Sequence, residues 1–515
     1  MDAHPQVSPE AATRPVRFVF RGRTVEVNDA PPTRSVLQWL REDARACGTK
    51  EGCAEGDCGA CTVLVAELAE LAETVLGDTA AVRSAGLAIR PVNACIRFLP
   101  SLDGKALLTV EDLAGPAPDA PLHPAQQALV DCHGHQCGFC TPGFAMSLAA
   151  EHERQRAGGP PPSRGELADA IAGNLCRCTG YRPILDAGQR MGQDLSRGLP
   201  LDGLAEQLRG LQAAPALSQP GRWHAPRSLA ELAALRAARP QARLLAGATD
   251  VGLWVTKQLR ELGELIWLGD VAELRRIDEA DGALRIGAAV TLEDGWRALV
   301  ARWPTLSEMH RRFAAPPVRH AGTLVGNLAN GSPIGDAPPV LMALGARLCL
   351  RQGDATRHLA LEDFYLDYMK NALQPGEFIE AVEVPLTTTD PVWVVRAWKQ
   401  SKRFDCDISG VSCGLALRLD AGVVAEARLA FGGMAATVRR ASGAETALNG
   451  RPWTEATLLA AQDALDADFR PLNDLRASAA YRQRVARGLL ERLWLETRPQ
   501  APLDATALRV WEGCA

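Results

Sequence analysis

The sequence predicts an α+β protein built from several domains. The chain has 515 residues, which exceeds the usual length of one domain. Strand-like alternation and helix-like periodicity both occur along the chain, so we expect strands as well as helices. Two groups of closely spaced cysteines also lie between Cys53 and Cys178, and each group predicts a separate small domain around a metal site.

Composition excludes several classes of protein. Hydrophobic residues make up 47% and charged residues 23%, and the formal net charge is -5, so no polycationic surface for nucleic acid is expected. The N-terminus lacks the basic start and apolar core of a secretory signal, and no run of about 18 apolar residues predicts a membrane span. We therefore expect a cytoplasmic protein, in which clustered cysteines point to metal or redox chemistry and not to disulfides.

The first predicted domain covers residues 15–115 and follows a disordered tail at 1–14. The stretch VRFVFRGRTVEVN predicts a hairpin that turns at Arg21-Gly22-Arg23, and RSVLQWLRED predicts a helix. After Cys61 we expect a strand; the chain then becomes rich in Ala, Leu and Glu before it reaches Cys95, and we expect the middle of this segment to be a helical or loop excursion. GKALLTVEDL predicts the closing strand.

Four further segments complete the predicted domain organisation. Residues 116–197 show four helical patterns separated by Gly or Pro, which predict a helix bundle. Residues 198–222 predict a connector without regular structure. Strand and helix signals mix over 223–390, and 391–505 predicts three strands followed by Ala-rich helices.

Cys53, Cys58 and Cys61 have the spacing CxxxxCxxC, and Cys95 lies downstream. This is the spacing of a plant-type 2Fe-2S site, in which one loop supplies three of the four thiolates. Interleaved glycines let backbone N–H groups approach the cluster. Buried structural thiols and a structural zinc site are the alternatives, and we expect Cys47 to be a bystander.

A second set comprises the CxxC pair Cys137 and Cys140 and the CxC pair Cys176 and Cys178. Residues two apart face different ways inside a helix, so the CxC pair must lie in a turn before a helix. Pro142 and Pro183 indicate that helices begin directly after both pairs. The set predicts a second 2Fe-2S site, with zinc as the alternative and Cys132 as a core residue.

The stretches GCAEGDCGACTV, QCGFCTPG and NLCRCTGYRPIL closely resemble the iron-sulfur domains of the molybdenum hydroxylase family, which includes xanthine dehydrogenase and aldehyde oxidase. The resemblance implies a β-grasp ferredoxin domain, then a four-helix domain whose cluster lies nearer a molybdopterin. It also implies that Gln136 contacts that pterin. The segment between Cys61 and Cys95 is longer than we expect for this family, which puts the local loop in question but not the ligands.

No GxGxxG or GxxxxGK[ST] motif is present, so a flavin would need a different phosphate cradle. LLAGATDVG and HAGTLVGNLANGSPIGDAPP offer small residues, hydroxyls and carboxylates for a pyrophosphate and a ribose, although ordinary turns explain such stretches equally well.

Both stretches resemble the FAD-binding segments of the same family, which implies a vanillyl-alcohol-oxidase-type FAD domain and a C-terminal α+β domain. Phe313 would lie against the isoalloxazine, and Tyr368 falls where the family has an aromatic residue near the nicotinamide. The implied FAD residues are Leu245, Ala246, Gly247, Ala248, Thr249, Asp250, Val251, Phe313, Thr323, Gly326, Asn327, Asp336, Ile379 and Lys399.

The order of these parts resembles the small subunit of two-subunit bacterial xanthine dehydrogenases. It implies that electrons from a molybdopterin-containing partner subunit pass through the two 2Fe-2S clusters to FAD and then NAD, in a dimer of heterodimers. We expect no molybdopterin domain and no acid-base catalyst for purine chemistry on this chain. The alternatives are a related hydroxylase for an aldehyde or N-heterocycle, or an NADH-linked electron-transfer module without molybdenum.

Overall fold

The computed structural model describes residues 13–71, 80–115, 117 and 119–508. Within these residues the β-strands are β1 (Val16–Phe20), β2 (Arg23–Val27), β3 (Thr62–Leu68), β4 (Val82–Ser84), β5 (Leu87–Asn93), β6 (Ala106–Leu108), β7 (Ser218–Gln219), β8 (Trp223–His224), β9 (Arg243–Leu245), β10 (Leu265–Trp267), β11 (Ile277–Ala280), β12 (Ala283–Gly287), β13 (Arg347–Gln352), β14 (Ala355–Ala360), β15 (Tyr365–Asp367), β16 (Lys370–Asn371), β17 (Phe378–Pro385), β18 (Trp393–Gln400), β19 (Val411–Asp420), β20 (Val423–Gly432) and β21 (Arg439–Arg440).

The α-helices of the same residues are α1 (Val36–Gln38), α2 (Val110–Leu113), α3 (Pro124–Asp131), α4 (Thr141–Arg156), α5 (Arg164–Ala170), α6 (Arg182–Met191), α7 (Leu204–Gln212), α8 (Leu229–Ala238), α9 (Val251–Thr256), α10 (Leu292–Arg302), α11 (Ser307–Arg312), α12 (Pro316–Arg319), α13 (Leu324–Ala329), α14 (Ala337–Ala343), α15 (Ser442–Leu448), α16 (Glu455–Asp468) and α17 (Ala479–Thr497). A π-helix at Trp39–Asp43 continues α1.

These elements belong to two units. Unit 1 draws on Met1–Glu73, Ala81–Pro161 and Asn174–Glu273, and unit 2 on Thr74–Ala80, Pro162–Gly173 and Leu274–Ala515. Both units combine sheets with helices, so the predicted α+β class is confirmed. The residue bounds given to the individual domains stay predictions.

The main sheet of unit 1 has the strand order β2-β1-β6-β3-β5-β4, with β1 and β6 parallel and the other pairs antiparallel. The predicted hairpin is confirmed: β1 and β2 pair across a tight turn at Arg21 and Gly22, whose φ angles of 51° and 69° suit a two-residue hairpin loop. Most of the predicted tail at 1–14 lies outside the described residues, but Arg14 is anchored by an ion pair with Asp103 at 2.6 Å.

The prediction for the segment between Cys61 and Cys95 was wrong in part. Its second half forms β4 and β5, although the composition of the segment favoured a helix or loop. Every residue of β5 is buried because the strand lies between β3 and β4, and such burial outweighs local propensity. Residues 72–79 of the predicted excursion lie outside the described residues.

Helices dominate the region after β6. The four predicted helices of 116–197 are confirmed as α3, α4, α5 and α6; α5 belongs to unit 2 and the others to unit 1. The predicted connector at 198–222 was wrong over α7, where Leu204 and Leu208 bury the inner face of a helix packed on β1 and β3. A second, mostly parallel sheet of unit 1 has the order β7-β8-β10-β9.

Unit 2 holds an antiparallel sheet with the order β11-β12-β17-β13-β14 and another with the order β18-β19-β20-β21. The three strands and the Ala-rich helices predicted for 391–505 are confirmed as β18 to β20 and α15 to α17. Their shared core includes Leu415, Phe431, Trp453 and Leu490, all at most 2% exposed.

Candidate functional site

The first cysteine group lies in unit 1, at the ends of two paired strands. Cys61 directly precedes β3, and Cys95 is the second residue after the end of β5. The register pairs Thr62 with Asn93, and the Ala94 N–H donates to the Cys61 carbonyl at 3.2 Å. The sheet therefore brings Cys95 to the loop that carries Cys53 and Cys58, although 34 positions separate it from Cys61.

Sulfur contacts connect the four cysteines of this group in series, from Cys58 to Cys53, from Cys53 to Cys95 and from Cys95 to Cys61. The Cys58 and Cys95 thiols hydrogen-bond the Cys53 sulfur and lower its pKa, and contact with Cys53 raises the pKa of both partners. The Cys95 thiol likewise lowers the pKa of Cys61. Four converging thiols form the donor set that a 2Fe-2S cluster requires, and we call this group the first cradle.

Backbone geometry fits a cluster in the first cradle. The N–H groups of Glu55 and Cys58 donate to the Cys53 sulfur at 3.5 and 3.4 Å. A Cβ at Gly52 would lie 2.8 Å from the Cys58 sulfur, so only glycine leaves that space open. Such N–H···S contacts offset the negative charge of an iron-sulfur centre and tune its potential.

The second group also lies in unit 1, and helix beginnings hold it, as predicted. Cys137 and Cys140 precede α4, while Cys176 and Cys178 precede α6. Sulfur contacts join Cys140 to Cys176 and Cys178 to Cys137. Burial and then the Cys176 contact raise the pKa of Cys140 to about 12. We call this group the second cradle. Each cysteine of its CxxC pair contacts one cysteine of its CxC pair.

Supporting side chains surround the CxC pair. The Cys176 N–H donates to the Tyr181 hydroxyl at 3.0 Å, and the Thr179 hydroxyl lies 3.1 Å from the Cys176 sulfur. Tyr181 takes a left-handed φ of 68° as it starts α6. Gln136, next to Cys137, is exposed.

The two cradles touch each other within unit 1. The Leu175 N–H, one residue before Cys176, donates to the Cys58 carbonyl at 3.0 Å. The Asn174 amide donates to the Gly59 carbonyl at 3.0 Å. A Cβ at Gly143 in α4 would lie 2.2 Å from the Gly59 oxygen. Only glycine at this position therefore lets α4 pack so closely against the first cradle. Sequence reasoning missed Asn174, whose only signal is its position just before the CxC pair.

Cys47 and Cys132, which were both predicted not to be ligands, lie apart from these sulfur contacts. The exposed Cys47 thiol donates to the Arg41 carbonyl at 3.8 Å. Cys132 caps the end of α3 and is half-buried, where a core position was predicted.

The segment 245–251, predicted to line a flavin pyrophosphate, connects β9 to α9 in unit 1. Ala248 has a left-handed φ of 61°, and the Gly252 N–H donates to its carbonyl at 2.7 Å. At the end of α9 the Thr256 hydroxyl donates to the Ala54 carbonyl at 2.7 Å, and Lys257 donates to the Cys53 carbonyl. The C-terminal end of α9, the helix that follows this segment, is therefore hydrogen-bonded to the first cradle.

The other predicted flavin residues lie in unit 2. Phe313 is buried against Trp296, with ring centroids 5.7 Å apart. The buried Arg319 donates to the Phe313 carbonyl at 2.9 Å and forms an ion pair with the buried Glu293. Burial raises the pKa of Glu293, but the charge of Arg319 opposes this effect and the pKa is lowered overall. Sequence reasoning missed this pair, which fixes the backbone beside Phe313.

Two candidate flavin residues at α13 differ in whether their side-chain oxygens are hydrogen-bonded. The Thr323 hydroxyl caps α13 by accepting from the Gly326 N–H at 3.0 Å. The Asn327 side-chain oxygen is buried and has no hydrogen-bond partner within the described residues, which fits an additional ligand group there.

Lys399 and Asp336 form a buried ion pair at 2.7 Å. The Lys399 ammonium also donates to the Arg312 and Asp407 carbonyls at 3.2 and 2.9 Å, which engages all three of its protons. Ile379 is buried on β17, and the Tyr368 side chain is 60% exposed. The assignment of these residues to a flavin stays a prediction.

A further donor cluster in unit 2 carries no metal assignment. Donor atoms of Cys349, His358 and Glu383 lie within 4.8 Å of one another. Arg285 and Arg347 already pair with Glu383, at 3.9 and 3.7 Å. Ion pairing explains this arrangement, and two adjacent cations oppose a divalent metal.

Across the described part of the chain, the helices are too short or too polar to span a bilayer. Four family models match the chain in succession. A 2Fe-2S iron-sulfur cluster binding domain matches residues 18–96, and a second 2Fe-2S binding domain matches 109–189. An FAD binding domain in molybdopterin dehydrogenase matches 217–387, and a CO dehydrogenase flavoprotein C-terminal domain matches 396–497.

Similar curated proteins are named xanthine dehydrogenase. That of Emericella nidulans is 30% identical, with an alignment that covers 94% of this chain and 39% of that protein. That of Drosophila subobscura is 34% identical, with coverage of 83% and 35%. The chain thus spans less than two fifths of the length of these relatives.

Two solved structures resemble about half of the chain. A carbon monoxide dehydrogenase from Hydrogenophaga pseudoflava, described as lacking the Mo-pyranopterin moiety of the molybdenum cofactor, matches at 30% identity and a TM-score of 0.50. The match covers 52% of this chain and 94% of that chain. Quinoline 2-oxidoreductase from Pseudomonas putida 86 matches at 25% identity and a TM-score of 0.50, covering 55% of this chain and 99% of that chain.

Proposed function

We propose that this chain, which belongs to the molybdenum hydroxylase family of oxidoreductases, passes electrons from a molybdenum centre on a partner subunit to NAD. At that centre hypoxanthine is hydroxylated to xanthine and xanthine to urate, and each of the two steps takes its oxygen from water and releases two electrons. The observation that carries the proposal is the pair of four-thiol cradles, hydrogen-bonded to each other and followed in the same chain by an FAD-binding domain.

The ligands in this proposal are the eight cysteines of the two cradles. Cys53, Cys58, Cys61 and Cys95 hold one 2Fe-2S cluster, and the second cradle holds the other through Cys137, Cys140, Cys176 and Cys178. When bound, the two clusters supply one-electron steps, and the flavin joins them to a two-electron hydride transfer. Two electrons leave the substrate, pass singly through the cradles, and leave with one proton as the hydride on NADH.

Exposure supports the direction of flow. Cys137 and Cys178 are exposed, as is Gln136 beside them, so the second cradle offers its edge to a partner that carries a pterin. The first cradle is hydrogen-bonded to the segment that includes α9, through Thr256 and Lys257, which supports its role as the donor to the flavin.

For the flavin we propose that residues 245–251 approach the pyrophosphate and that Phe313 lies against the isoalloxazine. The partnerless oxygen of Asn327 supports a polar contact with FAD. Lys399 and Asp336 neutralise each other's charge in their ion pair. We therefore propose that they position the flavin site indirectly, through the hydrogen bonds from Lys399 to the Arg312 and Asp407 carbonyls. The exposed Tyr368 is available to a nicotinamide.

Purine as the substrate class is supported by the names of the curated relatives, which align over 94% and 83% of this chain. The test is to co-express the chain with its molybdenum partner, count iron and flavin, and measure NAD reduction. We expect about four irons and one flavin per chain, and NADH formation with xanthine and hypoxanthine. Turnover with an aldehyde or another N-heterocycle but not with purines would overturn the substrate; purine oxidation by this chain without any partner would overturn the division between subunits.

A further inference from the structure

Asn174 joins the two cradles through a side chain that is only 2% exposed. Its amide nitrogen donates to the Gly59 carbonyl at 3.0 Å and to the Thr62 hydroxyl at 3.1 Å. Its oxygen accepts from the Ser147 hydroxyl at 2.7 Å. The side chain therefore ties the loop of the second cradle both to the first cradle and to α4.

The backbone next to Asn174 forms a short bonded route between the two sets of ligands. Leu175 donates its N–H to the carbonyl of Cys58, a first-cradle ligand, and is bonded covalently to Cys176, a second-cradle ligand. Consecutive residues, Asn174 and Leu175, thus donate to the consecutive carbonyls of Gly59 and Cys58. Electron tunnelling weakens steeply with each gap through space, and this route contains one hydrogen bond and otherwise covalent bonds.

The two cradles also approach each other closely at two glycines beside that hydrogen bond. Besides its approach to Gly59, a Cβ at Gly143 would lie 2.9 Å from the Asn174 amide nitrogen. On the other side, a Cβ at Gly52 would lie 3.5 Å from the Phe139 ring, which stands between Cys137 and Cys140. The approach is tight at Gly143, where Asn174 supplies polar bonds, and leaves room for a methyl group between Gly52 and Phe139.

We propose that Asn174 is the positioning residue for electron transfer between the two clusters, and that the Leu175 N–H···O=C Cys58 hydrogen bond is the transfer route it maintains. The inference rests on the proposed function, because it requires a 2Fe-2S cluster in each cradle. The Asn174 side chain donates to the Gly59 carbonyl and the Thr62 hydroxyl, and it acts on the Cys58 backbone through its neighbour Leu175.

The test uses the complete complex with its molybdenum partner and three variants. Asn174→Leu keeps the side-chain shape and removes all its hydrogen bonds, while Asn174→Asp keeps the bond from Ser147 and removes both donations. Ser147→Ala is the matched control, because it leaves both donations in place. Iron content and the EPR signal of each reduced cluster are measured first, followed by the magnetic splitting between the clusters and the rate at which electrons pass between them.

With iron content and both cluster signals intact, Asn174→Leu and Asn174→Asp should lose the splitting and slow the transfer, and Ser147→Ala should keep both. If Asn174→Leu fails to load iron, Asn174→Asp alone decides. Wild-type splitting and rate in a loaded Asn174→Asp complex would overturn the inference, and so would equal losses in Ser147→Ala. Wild-type protein without two 2Fe-2S signals would overturn the proposed function itself, so the two failures are distinguishable.

Discussion

Each cradle holds four thiols, but different structural elements position them. Strand ends anchor half of the first cradle, where Cys61 and Cys95 are 2% and 3% exposed. Turns before α4 and α6 hold the second cradle, where Cys137 and Cys178 are exposed. A buried centre suits an internal relay because it exchanges electrons only with its neighbours, whereas an exposed centre suits exchange with another subunit.

The largest expected effect comes from removing one ligand from each cradle. Cys95→Ser and Cys178→Ser should each lose about two of four irons per chain and one of two EPR signals. Cys95→Ser should also lower the melting temperature more, because its cradle is part of the core of the sheet. Cys47→Ser is the control and should keep all iron; loss of both signals in Cys178→Ser would contradict the separation of the two cradles.

Contact between the cradles can be broken by one added methyl group. Gly143→Ala places a Cβ against the Gly59 backbone oxygen, which cannot move without shifting the first cradle. We expect a destabilisation of about 1–3 kcal/mol, measured by denaturant unfolding with cluster absorbance as the signal. Gly210→Ala, in α7 with open space around it, should change stability by no more than about 1 kcal/mol and in the stabilising direction.

Acid should affect the second cradle before the first. Burial and then the neighbouring His152 lower the pKa of His123, the cap of α3, to about 3. Between about pH 6.5 and pH 3 the unfolded chain therefore binds a proton that the folded chain does not, so stability falls as pH falls, by at most about 1.4 kcal/mol per pH unit.

The measurement for this effect is the loss of each EPR signal as the pH is lowered from 7 to 5. His123→Asn keeps a capping acceptor and should make the second signal less sensitive to acid. His133→Asn, at an exposed histidine, should behave as wild type. An unchanged acid response in His123→Asn would assign the sensitivity to another group.

The cradle ligands could be predicted because most of them lie close together in the sequence. Residues whose contacts lie far away in the sequence could not be predicted. Cys53, Cys58 and Cys61 lie in one loop, so their spacing alone indicated a common ligand. Asn174 could not be found in this way, since its partners Gly59 and Thr62 lie 115 and 112 positions away.

The same reason explains the errors in the fold. The strand β5 follows a segment of helical composition and is a strand only because β3 and β4 flank it. The helix α7 carries Leu204 and Leu208 at helical spacing. Two residues are too few to distinguish a helix from an irregular connector until their packing on β1 and β3 is known. Glu293 and Arg319 were missed because the pair is defined by burial, which no local pattern encodes.

In the function proposed above, substrate electrons reach NAD only through both cradles. This route is tested most directly by comparing two reactions in the Cys178→Ser complex: NAD reduction driven by xanthine, and flavin reduction driven by NADH. We expect the first reaction to be lost and the second to keep its wild-type rate, because NADH reduces the flavin without using either cradle. Xanthine-driven NAD reduction at the wild-type rate in a complex shown to lack the second cluster would contradict this route.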